Sequence, residues 1–179
     1  MNAIEQTKKW IKGFVIEFDL CPFASSVFLN DAILYSLEES HDTKDQMIAF
    51  VNCLHLLKTS SDKQTAFFLL PNASKNFEEF LELFYKCEAF LEESSFKTDF
   101  QLAGFHPEYV FGDSDSDDPA NYTNRSPYPM IHILSIEDVH RASVSHENIA
   151  EVPARNIRFL RNKGVHSILM TLRNLFPSA

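Results

Sequence analysis

Glycine is scarce in this chain, four in 179 residues, which leaves little scope for glycine-rich phosphate loops. Cysteine is sparse as well. Cys21, Cys53 and Cys87 are odd in number, far apart and form no Cys-x-x-Cys pair, so neither a disulfide framework nor a structural zinc site is expected. Basic residues are outnumbered: 16 Lys and Arg against 25 Asp and Glu give a net charge of −9 and a pI near 5.2. Such a surface repels nucleic acid and anionic membranes. No run of about 18 uncharged apolar residues is present to span a bilayer. Lys8, Lys9 and Lys12 precede an apolar stretch in the manner of a signal peptide, but Glu17 and Asp19 interrupt it. Together these absences predict a soluble, reduced, cytoplasmic protein with neither nucleic acid nor membrane as partner.

What is present is phenylalanine, 17 of them, in a chain that is 45% hydrophobic and 23% charged. That composition predicts one globular domain over residues 1–179, long enough to bury a core filled by large rings. The densest basic stretch, Arg155, Arg158, Arg161 and Lys163, recurs at three-residue spacing, which reads as a solvated helix face.

Apolar groups at Ile4, Trp10, Ile11, Phe14, Val15 and Phe18 share one helical face, predicting a first helix from about Ala3 that stops near Asp19, before Pro22. Ala32 to Leu37 is a short apolar strand, and Asp42 to Lys58 has helical spacing at Met47, Phe50, Val51, Leu54 and Leu57. Thr65 to Leu70 is brief and apolar enough for a buried strand. Ser74 is placed to cap a helix with its core stripe from Phe77 to Leu91. Phe100 to Phe105 and Met130 to Leu134 are strands, the latter entered through Pro127 and Pro129. Three helical segments follow: Ile136 to Ala142, roughly Asn148 to Asn162, and His166 to Leu175, with Gly164 dividing the last two. This order predicts an α/β or α+β two-layer sandwich, a small mixed sheet of about four strands with crossover helices covering at least one face.

Groups that bind or react crowd between Phe105 and Leu134, on a long loop held by two strands. His106 closes the third strand and His132 lies in the fourth, so closure of the loop is expected to bring two proton carriers together. The plainer alternative for His132 is a core histidine bonded to backbone. Arg125 stands among Asn121, Tyr122, Thr123, Asn124 and Ser126. A guanidinium among amide and hydroxyl donors makes a carboxylate or phosphate cradle, unless it pairs with Asp117, Asp118 or Glu108 and the rest form turns. Asp113, Asp115, Asp117 and Asp118 evoke a calcium loop, but Asp118 stands where the turn needs Gly and Asn124 where a bidentate Glu belongs. A weak ion site from Asp117 or Asp118 with His106 stays open. Cys21 is the one cysteine off a helical core stripe. Its thiol would be deactivated at the end of the first helix, or activated if Pro22 opens a short helix.

The chain resembles the bacterial family designated domain of unknown function 1415. The resemblance rests on Trp10, on Leu20-Cys21-Pro22-Phe23-Ala24, on Phe105-His106-Pro107 with Tyr109 and Phe111, and on the block Asn121 to Pro129 followed by His132 and Leu134. It extends to Arg155-Asn156-Ile157 and Leu160-Arg161. Where the family pattern tends to place a basic and an acidic residue after the leucine matching Leu134, this chain has Ser135-Ile136. The resemblance implies a common pocket and leaves its chemistry open.

Three functions are therefore carried forward. The first is a small-molecule enzyme acting on an anionic substrate, with Cys21, His106 and His132 catalytic and Asn121, Tyr122, Asn124, Arg125 and Ser126 binding. The second is a non-catalytic ligand or partner module. The third is a metal-dependent hydrolase using the histidine pair and a loop aspartate. Neither a cofactor nor an oligomeric state is readable.

Overall fold

The computed structural model describes residues 2–73, 76–145 and 149–177. Four strands make one mixed sheet: β1 (Ile33–Leu37), β2 (Thr65–Leu69), β3 (Phe100–Phe105) and β4 (Met130–Ser135), in spatial order β1-β2-β4-β3. β1 and β2 are parallel, and α3 (Thr43–Thr59) carries the chain back between them, the long crossover that a parallel pair requires. β4 runs antiparallel to both β2 and β3. β2 is buried at every position, which explains why it reads as an unbroken run rather than an alternating one.

Strand register sorts the side chains into two faces. Tyr35, Phe67, His132 and Ala103 lie in one row across the sheet, and Ile33, Thr65, Leu134 and Gln101 in the row beside it. Both rows share a face, because they are two residues apart along every strand. On the opposite face Phe68, Ile131 and Ile133 pack against Phe50, Leu54 and Leu57 of α3 and against Phe80, Leu83 and Cys87 of α4 (Phe77–Glu93). Asp42 and Asn76 cap these helices, accepting from the N–H groups of Lys44 and Glu78. The expected cap, Ser74, lies outside the described residues.

Helices cover the second face too, so the α+β fold carries a layer on each side of its sheet. α1 (Ala3–Trp10) continues as a π-helical stretch (Ile11–Ile16), and α6 (Val152–Leu175) packs across it. A Cβ on Gly13 would come 2.3 Å from Leu175 Cδ2, so the bare glycine permits this close approach. The first helix is broken at Asp19, which adopts φ 51°. One element was not anticipated, a 3-10 turn (Pro119–Thr123) within the long loop, while α2 (Ala24–Leu29) is the short helix that the sequence left open after Pro22. α5 spans Ile136–Ser145, past the expected Ala142. The two expected final helices form one rod with a kink at Gly164, whose φ of 74° and ψ of 151° leave helical geometry without ending the helix. The start expected near Asn148 falls outside the described residues.

Candidate functional site

The second sheet face does not close fully onto its helices. Between them lies a cavity of about 950 Å³, at the upper end of the size that holds a small molecule. Apolar side chains dominate its wall: Ile33, Phe67, Ala103, Phe105 and Leu134 from the sheet, Trp10, Ile11 and Val15 from the first helix, and Phe111 from the loop. Cys21, Thr65, Asn124, His132 and Asn156 are polar points in this surface, and Asp138, Arg141 and Arg161 also line it. The Trp10 indole N–H is sealed from solvent and has no hydrogen-bond partner among the described residues.

His132 and His106 do not meet. Ala103 pairs with His132 and Gly104 with Ile131, so continuing the alternation puts position 106 on the opposite face. There His106 is fully buried against the rings of Phe77 and Phe80, and its Nδ1 accepts from the Glu108 N–H at 3.0 Å. His132 stacks on Phe67 at 4.2 Å and 11°. The sheet itself separates the two imidazoles, which removes the shared metal centre expected of them. Among the described residues no three His, Cys, Asp or Glu side chains are grouped to hold an ion. Asp118 is engaged elsewhere, pairing bidentately with Arg161 at 2.6 Å and accepting from the Ala120 N–H. The Arg161 guanidinium holds its carboxyl below the usual carboxylate range.

Arg125 pairs with none of Asp117, Asp118 and Glu108. Its Nε donates to Tyr109 O at 3.1 Å and its Nη2 to Ser116 O at 2.7 Å, while the guanidinium lies 4.7 Å from the centre of the Tyr122 ring. It is a brace inside the loop and is not part of the cavity wall. Its neighbours serve the same end. Asn121, fully buried, accepts from Phe111 N–H and Ser114 O–H and donates to Asp115 O. Ser126 donates to Tyr128 O at 2.6 Å. Asn124 donates to Gly104 O and its own carbonyl accepts from the His106 N–H, fastening the loop to the end of β3. The donors that resembled an anion cradle thus satisfy the loop's own backbone, as buried polar groups must. Of the eight residues singled out for the site, the cavity gathers Cys21, Asn124 and His132.

Cys21 occupies both positions between which its sequence was undecided, after the first helix and before α2. The Phe23 and Ala24 N–H groups favour the thiolate, but burial outweighs them, and the thiol is pushed above its ordinary value. Cys53 and Cys87 are fully buried packing whose thiols rise to about 11 and about 12. The segment bearing Cys21 is anchored from α6. Arg155 bonds to the Asp19 carboxylate at 2.6 Å and to the Asp19 carbonyl, and buried Asn156 donates to Leu20 O at 2.7 Å. The basic stretch is solvated as its spacing predicts, with Arg158 and Arg161 exposed, and three of its members also make ties: Arg155 to Asp19, Arg161 to Asp118, and Lys163 over the ring of Phe18 at 4.2 Å.

His132 lines the cavity from β4. Its Nε2 lies 2.7 Å from Thr65 Oγ1, which is also 2.7 Å from Ile133 O. The ring keeps some accessible surface in the cavity, yet protein surrounds it closely enough that burial pushes its pKa down to about 3. Thr65 and Phe67 were read only as strand core. The signal for Thr65 was a hydroxyl at the start of an otherwise apolar strand, but no single strand reveals which residue will stand across from it.

No helix among the described residues is long and apolar enough to cross a membrane. Neither a curated protein nor a solved structure matches the chain. The model of the family described as a protein of unknown function, DUF1415, matches residues 2–169, and the chain belongs to that family.

Proposed function

We propose that this protein binds a small, largely apolar molecule in the cavity between its sheet and the α1 and α6 layer. The observation that carries this is the cavity itself: about 950 Å³, aromatic and aliphatic in its walls, with a few polar atoms. A core this rich in phenylalanine has the side chains to fill such a space, and an unfilled void forfeits dispersion contacts. Three free cysteines suit a reducing compartment, which supports a cytoplasmic location.

Trp10 is the single tryptophan and forms part of the wall, so its emission reports occupancy. Titration with N-phenyl-1-naphthylamine is expected to quench Trp10 in a saturable, one-to-one manner by energy transfer. Ala103→Phe, which fills the wall beside His132, is expected to abolish this while the circular dichroism melt stays cooperative. Unsaturable quenching, or unchanged binding by the variant, would refute the assignment.

Cys21 and His132 lining one cavity favour a second reading, catalysis on an anionic substrate. In it Arg141 and Arg161 take the role first given to Arg125, and a bound ligand must activate the thiol. Covalent trapping of a substrate-derived adduct on Cys21, lost in Cys21→Ser, would be its signature.

A further inference from the structure

We propose that the cavity selects neutral ligands bearing an O–H or N–H group, which donates to Nδ1 of His132. The inference rests on the cavity being a ligand site and adds the chemistry that site accepts. Thr65 Oγ1 lies 2.7 Å from Ile133 O and 2.7 Å from His132 Nε2. A peptide carbonyl can only accept, and a hydroxyl has one hydrogen to give. The Thr65 hydrogen therefore goes to Ile133 O, and Nε2 must carry its own hydrogen and donate to Thr65 Oγ1. That assignment leaves Nδ1 as a bare lone pair.

No hydrogen bond to Nδ1 is present among the described residues, and His132, half-buried, is part of the cavity lining. The imidazole cannot turn to hide it. Phe67 stacks on one face of the ring at 4.2 Å, and the Thr65 bond fixes its rotation in the plane. The result is a fixed acceptor in an apolar wall, where an unmatched polar group discriminates strongly between ligands. A carboxylate or phosphate would set lone pair against lone pair unless the ring were protonated. Burial opposes that protonation.

The test uses three compounds of one shape: 2-naphthol, a neutral donor; 2-methoxynaphthalene, with no donor; and 2-naphthoate, an anion. Calorimetric titration of the full chain is expected to show 2-naphthol binding about fivefold to tenfold tighter than 2-methoxynaphthalene, the worth of one hydrogen bond. In His132→Phe, which keeps a ring against Phe67, that preference should vanish. Equal binding of the first two compounds, or tightest binding of 2-naphthoate, overturns the donor preference and leaves the cavity assignment standing. Failure of all three to bind overturns both. Nitrogen-15 spectra of the unaltered protein give a readout that needs no variant: Nε2 protonated and Nδ1 bare near neutral pH is expected. Hydrogen on Nδ1, alone or with Nε2, overturns the inference.

Discussion

Among individual residues, Cys21 and His132 line the same cavity, and both are governed by the cost of charge in a poorly solvated place. Burial raises the Cys21 thiol, so less of it is thiolate near neutral pH than in a free cysteine. Iodoacetamide is therefore expected to alkylate Cys21 more slowly than free cysteine, measured by mass spectrometry of the native protein. A faster rate would show an activating contact that outweighs burial at Cys21. For His132 the folded pKa, about 3, lies below the ordinary 6.5. As pH falls below the unfolded value, the unfolded chain takes up a proton that the folded chain refuses. Stability contributed by the neutral ring is thus complete above about pH 6.5 and declines toward about pH 3, by about 1.4 kcal/mol per unit between those limits. Urea titrations from pH 7 to pH 5 should show that decline, and His132→Phe should be flatter by the same slope.

The elements matter here through what they hold in place. α6 reaches across to the break after the first helix, where Asn156 donates to Leu20 O and Arg155 grips Asp19. Arg155 and Asp19 are largely exposed, so their pairing contributes little. Asn156 is buried, and Asn156→Ala leaves the Leu20 carbonyl without its donor. A loss of about 1–3 kcal/mol in urea unfolding is expected. Cys21, one residue beyond, should alkylate faster in the same variant as its turn loosens. An unchanged rate would show that the Cys21 segment is positioned by its own packing. The long loop is organised differently, by Asn121, Asn124 and Arg125 bonding to its carbonyls and amides. A polar cluster that reads as a binding motif supplies here the internal framework of a loop without regular ladder partners.

At the scale of the whole molecule, the cavity is a defect of packing between a sheet face and a helical layer. Filling it should be worth measurable stability. At a concentration about 100 times its dissociation constant, a ligand confined to the folded state adds about 2.7 kcal/mol. The N-phenyl-1-naphthylamine complex is thus expected to melt higher than the free protein, and Ala103→Phe should show no such rise. α3, α4 and the first helix were legible because their apolar residues recur at helical spacing, and the four strands because each is a short apolar run, signals that a chain displays without reference to its fold. The same holds for the α+β class and for Cys53 and Cys87 as core. Strand register was not legible. It depends on pairing between distant segments, and it alone decides that His132 stands beside Thr65 and Ala103 while His106 faces α4. A side chain's distance from its neighbours along the chain is set by covalent geometry, whereas its face of the sheet and its partner across the cavity are set by packing. The sequence by itself therefore determined which segments become helix or strand and which side chains seek burial; only the tertiary structure decided which polar groups face the cavity and which are used up in holding the loop.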